Sequence, residues 1–155
     1  MAETHPKLRL ACANNMAELL PLVRAYHEFE NVVQTDADRA ATLRPLLADQ
    51  SLGRIWLIDV QNQPVGYIAL CFGYGIEFKG KDAFIDEFFI KETWRGQGIG
   101  GVALSTICKE AARLGVKGLH LEVARDNQHA KALYAAHGFN SREQFHMMSQ
   151  LLSNE

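Results

Sequence analysis

The chain predicts an α/β (α+β) domain, a sheet flanked by helices, and three observations carry that expectation. Residues 54–60 and 65–74 are rich in β-formers and are separated by the polar turn Gln61-Asn62-Gln63-Pro64, which is the pattern of a hairpin. The run Phe84-Ile85-Asp86-Glu87-Phe88-Phe89-Ile90 reads as a third strand, and it leads through Arg95-Gly96-Gln97-Gly98-Ile99-Gly100-Gly101 into a helix. On both sides of this block, apolar residues recur at helical spacing.

Taken in order, residues 8–12 alternate apolar and charged side chains and suit a first strand. Asn14 or Asn15 can cap a helix running to Phe29, with Leu19, Leu20, Leu22, Val23 and Tyr26 as its buried stripe and Pro21 in its second turn. Thr35-Asp36-x-Asp38 opens a second helix toward Ala48, and the hairpin follows. Residues 73–82 form a polar, glycine-containing connection to the third strand. After the glycine-rich turn, Val102, Ala103, Ile107, Ala111 and Leu114 form an apolar stripe opposite Lys109, Glu110 and Arg113, and Gly115 stops that helix. A strand over 118–123, a helix over 128–137 ended by Gly138, and a weak terminal strand pair over 139–151 complete the chain.

The 155 residues, 48% of them apolar, suit one domain with one substantial core. A formal charge of −2, with basic residues scattered rather than gathered among aromatics, argues against a nucleic-acid module. Cys12, Cys71 and Cys108 lie in apolar surroundings without metal spacing and read as reduced thiols of a cytoplasmic protein. The six histidines show no ligand pattern, so no metal site is expected. No signal core and no apolar run of membrane length is present, which predicts a soluble protein without a membrane partner.

The glycine-rich turn carries the chemistry. Four glycines in the six positions 96–101 remove the Cβ atoms that would keep backbone N–H groups from converging on one bound group. The turn ends at a helix N-terminus, where unpaired N–H groups and the macrodipole favour phosphate, and Arg95 adds a permanent positive charge. Two other phosphate cradles fit less well. A Walker loop ends in Gly-Lys-Ser/Thr, whereas this turn ends in Gly100-Gly101-Val102. Gly96-x-Gly98-x-x-Gly101 matches the dinucleotide fingerprint literally, with Glu122 about 20 residues further on. Yet Lys91 to Arg95 separate its first glycine from the strand, and the chain beyond Glu122 is too short for the rest of a doubly wound sheet.

The order of elements, with Arg95-x-x-Gly98-x-Gly100 after a central strand and Asn127 through Tyr134-x-x-x-Gly138-Phe139 later, resembles the GCN5-related N-acetyltransferase (GNAT) family over essentially the whole chain. The resemblance implies one acetyltransferase domain over residues 1–155. Its mixed, mostly antiparallel sheet would have six to seven strands flanked by about four helices, with a V-shaped splay between the two central strands. It implies acetyl-coenzyme A as co-substrate and a homodimer. In that family the backbone amides of this loop hold the pyrophosphate, so Arg95, Gly96, Gln97, Gly98, Ile99, Gly100 and Gly101 take that role by resemblance. Phe88 and Ile90 would offer backbone groups to the pantetheine arm and the thioester oxygen. Asn127 matches a residue that bonds the pantetheine chain, and Tyr134 a tyrosine near the sulfur. Phe72-x-Tyr74, Gly80-Lys81 and the run 84–90 also resemble the diamine (spermidine/spermine) N-acetyltransferase branch, as does Tyr26-His27-Glu28-Phe29-Glu30 loosely. That branch has Glu then Asp where this chain has Asp86 then Glu87.

Acetylation of an amine requires the neutral nitrogen, but an alkylamine has a pKa near that of lysine, about 10.4, so a base must take its proton. Asp86 and Glu87 alternate along their strand, so regular pairing would send only one of them to the cleft. The diamine-branch resemblance favours Asp86, acting directly or through water, with Glu87 second. The carboxylate not used is left to bind a neighbouring cation or the substrate's second amine. Tyr134, a phenol protonated at neutral pH, can return a proton to the departing sulfur. No cysteine is paired with a base by sequence, which favours direct attack in a ternary complex over an acyl-enzyme. His27 stands either on an exposed helix face or on a pocket wall, and Trp56 and Trp94 read as packing residues.

The function expected is N-acetylation of a small-molecule primary amine: a polyamine, an amino acid or an aminoglycoside-like compound. A peptide or protein amine, a non-catalytic acyl-coenzyme A sensor and a nicotinamide dinucleotide oxidoreductase stand as alternatives.

Overall fold

The computed structural model describes residues 5–153. Contacts gather into two compact units that meet in sequence at Glu122 and Val123.

The first unit holds one five-stranded sheet in the order β1-β2-β3-β4-β5. Its strands are β1 (Lys7–Leu10), β2 (Gly53–Val60), β3 (Gln63–Gly75), β4 (Gly80–Ile90) and β5 (Gly118–His120), and its helices are α1 (Met16–Phe29), α2 (Asp36–Ala48) and α3 (Ile99–Arg113). The first four strands pair antiparallel as successive neighbours, and β5 joins β4 in parallel. The expected hairpin is β2–β3.

α2 starts where its residues dictate. The Thr35 hydroxyl accepts from Asp38 N–H at 3.1 Å, and the Asp38 carboxylate accepts from Thr35 N–H at 3.2 Å, a reciprocal capping box. Each face of the sheet has its own apolar cluster. Leu19, Leu22 and Val23 of α1 and Leu43 and Leu47 of α2 pack on Ile55, Leu57, Tyr67, Ala69 and Phe89. On the other face Ile99 and Ala103 of α3 pack on Ile58, Val60 and Val65, with Phe88, Ile90 and Trp94 at the margin. Full burial of such a side chain contributes about 1.5–3 kcal/mol, so these two clusters hold the helices to the sheet. Trp56, 6% exposed, is a core residue as expected.

The central irregularity is a bulge in β4. Leu70 opposes Ile85 while Ala69 opposes Glu87, so Asp86 is an extra residue without a cross-strand partner. Cys71 and Ala69 lie two apart on β3 and therefore share a face; their partners Phe84 and Glu87 share it too, although they are three apart. The bulge thus turns Glu87 and Phe89 toward α1 and α2.

The second unit contains α4 (Gln128–Ala136), which ends at Gly138 with φ +88°. The described residues form five strands where six to seven were expected. Strand β5 stops at His120 rather than Val123, and residues 139–151 form no strand. That last stretch contains no β-branched residue, so its backbone gains little from an extended, paired conformation. Among the described residues there are four α-helices, as expected.

Candidate active site

β4 leads into the glycine turn through residues 91–95. A 3-10 turn over Glu92–Trp94 follows the strand, and Gly96 and Gly98 then adopt left-handed backbone conformations with φ +74° and +80°. A Cβ built at either would meet nothing within 4 Å, so it is the backbone conformation, rather than crowding, that calls for glycine. Gly98 caps α3, and the first turn closes with Val102 N–H donating to Gly98 C=O at 3.3 Å. The N–H groups of Ile99, Gly100 and Gly101 precede that bond and point out of the helix end, as helix geometry requires. Ile99 is 1% exposed and anchors the turn to the core.

Arg95 lies back across this end of the sheet. Its Nε donates to Ile90 C=O at 2.9 Å, and its guanidinium stands 4.9 Å from the Phe29 ring centre and 5.5 Å from that of Phe89. Ile90 therefore offers its N–H with its carbonyl already engaged once. The Gln97 side chain donates to Thr93 C=O at 3.4 Å.

β5 covers β4 only at Asp82, Ala83 and Phe84. From residue 85 to residue 90 the outer edge of β4, which includes Phe88 and Ile90, has no partner strand among the described residues. An unpaired edge is a row of free N–H and C=O groups, able to bond an extended chain laid along it.

The two carboxylates on this edge differ. Asp86 is exposed and forms no hydrogen bond or ion pair among the described residues. Glu87 has a side chain only 23% exposed and engages both oxygens: Oε2 lies 2.8 Å from His27 Nε2, and Oε1 accepts from the Tyr67 hydroxyl at 2.9 Å. Tyr67 is 1% exposed; burial first, and the Glu87 charge second, push its phenol well above the usual range, so it remains a donor. Behind His27, Arg39 Nε donates to Nδ1 at 3.1 Å and Arg39 Nη1 to Asp36 at 2.8 Å, while Asp36 also binds Arg24. Arg39 is 6% exposed, and its charge is answered by Asp36. An open cleft of about 390 Å³, lined by Arg24, His27, Glu28, Asn31 and Arg39 among others, adjoins this network.

Sequence reading placed His27 on an exposed face or a pocket wall; it is buried and lines the cleft. Tyr67 and Arg39 were missed as site residues. A signal for two members of the network existed. His27 continues the stripe Leu19, Val23 at intervals of four, and Arg39 begins the stripe Leu43, Leu47 at the same interval.

In the second unit, Asn127 caps α4, its Oδ1 accepting from Ala130 N–H at 3.1 Å, which leaves its side-chain amide NH2 exposed. Tyr134 is half-buried and packs edge-on against Phe139 with ring centres 5.8 Å apart, and burial raises its phenol above the ordinary value.

Residues 18–139 match the profile of the Acetyltransferase (GNAT) family. The chain belongs to that family. A thialysine N-epsilon-acetyltransferase of Bos taurus is 34% identical over 74 residues, 48% of this chain and 43% of that protein. The uncharacterized N-acetyltransferase YycN of Bacillus subtilis (strain 168) is 34% identical over 67 residues, 43% of each. This GNAT chain thus spans less than half the length of these curated relatives. Among solved structures, the integron cassette protein HFX_CASS3 from the mobile metagenome of Cole Harbour Salt Marsh superposes with a TM-score of 0.84 at 28% identity, covering 96% of this chain and 91% of that one. The aminoglycoside acetyltransferase meta-AAC0020 from an uncultured soil metagenomic sample shares the fold, with a TM-score of 0.78 at 18% identity over 97% of this chain and 99% of that one.

Within the GNAT chain, Cys71 is no ready nucleophile. Burial, then the charges of Asp86 and Glu87, push its thiol up to about 11, so it is protonated at neutral pH. Burial also raises Cys108. Among the described residues no three His, Cys, Asp or Glu side chains gather in a way that could hold a metal ion, and no helix is long and apolar enough to cross a membrane.

Proposed function

We propose that this GNAT chain, with residues 1–155 acting as one acetyltransferase domain, transfers the acetyl group of acetyl-coenzyme A to a primary amine of a small molecule by direct attack. The observation that carries the proposal is the open edge of β4 over residues 85–90. It has a free carboxylate at its bulge and leads through residues 91–95 into a glycine turn at the start of α3. An extended pantetheine arm suits that edge, and a pyrophosphate suits the outward N–H groups of the turn.

Arg95, Gly96, Gln97, Gly98, Ile99, Gly100 and Gly101 would hold the pyrophosphate. Arg95 would turn from Ile90 C=O and Phe29 to meet the phosphates. Phe88 and Ile90 would contact the arm and the thioester oxygen through their backbone groups. Asn127 would bond the arm through the amide hydrogens its capping bond leaves free.

Asp86 is the carboxylate free to accept the proton of the attacking amine, directly or through water. Glu87, held by two donors, serves as the fixed negative charge that draws an ammonium group to the strand edge. The amine nitrogen bonds the acetyl carbon, and the carbon–sulfur bond breaks. A strand N–H stabilises the developing oxyanion, and Tyr134 protonates the leaving sulfur and regains its proton from solvent. Cys71, held as a thiol, takes no part. The relative named for N-epsilon acetylation of thialysine supports an amine acceptor.

Thiol release from acetyl-coenzyme A, titrated against diamines, polyamines, amino acids and aminoglycosides, tests the reading. Saturation with one amine class is expected. Coenzyme binding with no thiol release across the panel would instead favour a macromolecular acceptor or a sensor.

A further inference from the structure

We infer that His27 is a positioning residue for Glu87, held by Arg39 as the neutral tautomer that carries its proton on Nε2. The inference rests on the proposed role of Glu87 at the acceptor end of the site, but the tautomer can be read without any activity.

The argument starts from what each group can do. A guanidinium only donates, and it keeps its protons in proteins. The Arg39 Nε–H bond of 3.1 Å to His27 Nδ1 therefore requires a lone pair on Nδ1. With Nδ1 bare, the ring proton sits on Nε2 and is donated to Glu87 Oε2 at 2.8 Å. An imidazolium would set an N–H on Nδ1 against the Arg39 N–H and place two positive charges side by side in a buried site. The charged and titratable groups that contact the ring are Tyr26 on its own helix, Arg39 on α2 and Glu87 on β4; Arg24 and Glu28 line the same cleft, Asp36 binds Arg39, and Tyr67 binds Glu87. Among them Arg39 is the one bonded to Nδ1, and Glu87 the one bonded to Nε2.

The consequence is directional. His27 passes no proton; it fixes the rotamer of Glu87 from one side while Tyr67 fixes it from the other. Arg39 in turn is held by Asp36, so α2 sets the ring and the ring sets the carboxylate.

Two measurements test this. The first is the ring-nitrogen NMR spectrum of 15N-histidine-labelled protein at pH 7.5. We expect a bare Nδ1 and a protonated Nε2 for His27 in the wild type, and mixed tautomers in Arg39→Gln. A protonated Nδ1 in the wild type would overturn the inference, whether or not acetyl transfer is observed.

The second compares His27→Gln with His27→Ala. A glutamine amide can accept from Arg39 and donate to Glu87 but carries no proton between them. We expect His27→Gln to keep kcat/KM for the amine within roughly threefold, with an unchanged pH profile, and His27→Ala to lose about tenfold or more, mainly in KM. A glutamine variant as impaired as the alanine variant would mean that His27 moves a proton. Equal, undiminished turnover in both would mean that it does not position Glu87.

Discussion

Glu87 Oε2 and His27 Nε2 lie 2.8 Å apart although sixty residues separate them in the chain. The contact ties β4 to α1, and with Tyr67 on the second oxygen it leaves Glu87 held and the adjacent Asp86 free. One bulge thus gives two neighbouring carboxylates different surroundings.

That division predicts different kinetic losses. Asp86→Asn removes the proposed proton acceptor and is expected to lower kcat by about 10²–10⁴-fold with little change in amine KM. Glu87→Gln removes the fixed charge and is expected to raise amine KM roughly tenfold with a smaller fall in kcat. Steady-state kinetics at saturating acetyl-coenzyme A separate the two, and a reversed pattern would exchange the roles.

In its proposed role as proton donor, Tyr134 would set the alkaline side of the pH profile. As the proton donor it works in its protonated form, which exists below its pKa, and burial raises that pKa above the ordinary phenol value. Activity is therefore expected to persist beyond the ordinary phenol range, and Tyr134→Phe to cost about 10²-fold in kcat and to abolish the tyrosine-linked limb. An alkaline limb that survives intact in the phenylalanine variant would assign the acid elsewhere.

Gly98 is left-handed at φ +80° with open space where a Cβ would stand. Gly98→Ala is expected to cost about 1 kcal/mol of stability through the backbone, with no packing clash, and to weaken coenzyme A by re-aiming the N–H groups of the turn. Denaturant unfolding with an unchanged slope, together with calorimetric titration of coenzyme A, checks both parts.

Glu18 governs part of the acid stability. Arg9, and then Asn15, hold its carboxyl down to about 2 from 4.5. A depressed folded-state value means that the contribution is complete above about pH 4.5 and is lost as pH falls toward 2. Glu18→Gln is accordingly expected to flatten the dependence of unfolding free energy on pH within that window and to leave it unchanged above. An identical slope in both proteins would show that the Arg9 network carries no linked stability.

Much of the framework of the candidate site was readable because it is local. The strand over 84–90, the four glycines and the apolar stripe of α3 are neighbours in sequence, and their backbone preferences act over a few residues. The capping box of Thr35 and Asp38 spans a single turn. The same reasoning reached the hairpin, since β2 and β3 are joined by a turn whose residues favour it. It placed Asp86 and Glu87 on opposite faces only by assuming regular pairing, and that assumption is where it stopped.

The residues alone are enough for the family, the glycine turn and the order of the elements from β1 to α4, because each follows from short-range spacing. Three-dimensional packing settles which carboxylate is held and which is free. The bulge at Asp86 is a matter of register against β3, and a register is chosen by the sum of contacts across two strands and the helices that cover them. Arg39 shows the same limit. Its spacing puts it on the inner stripe of α2, but whether a buried guanidinium is tolerated there depends on Asp36 and His27 arriving from a fold that brings α1 and α2 together.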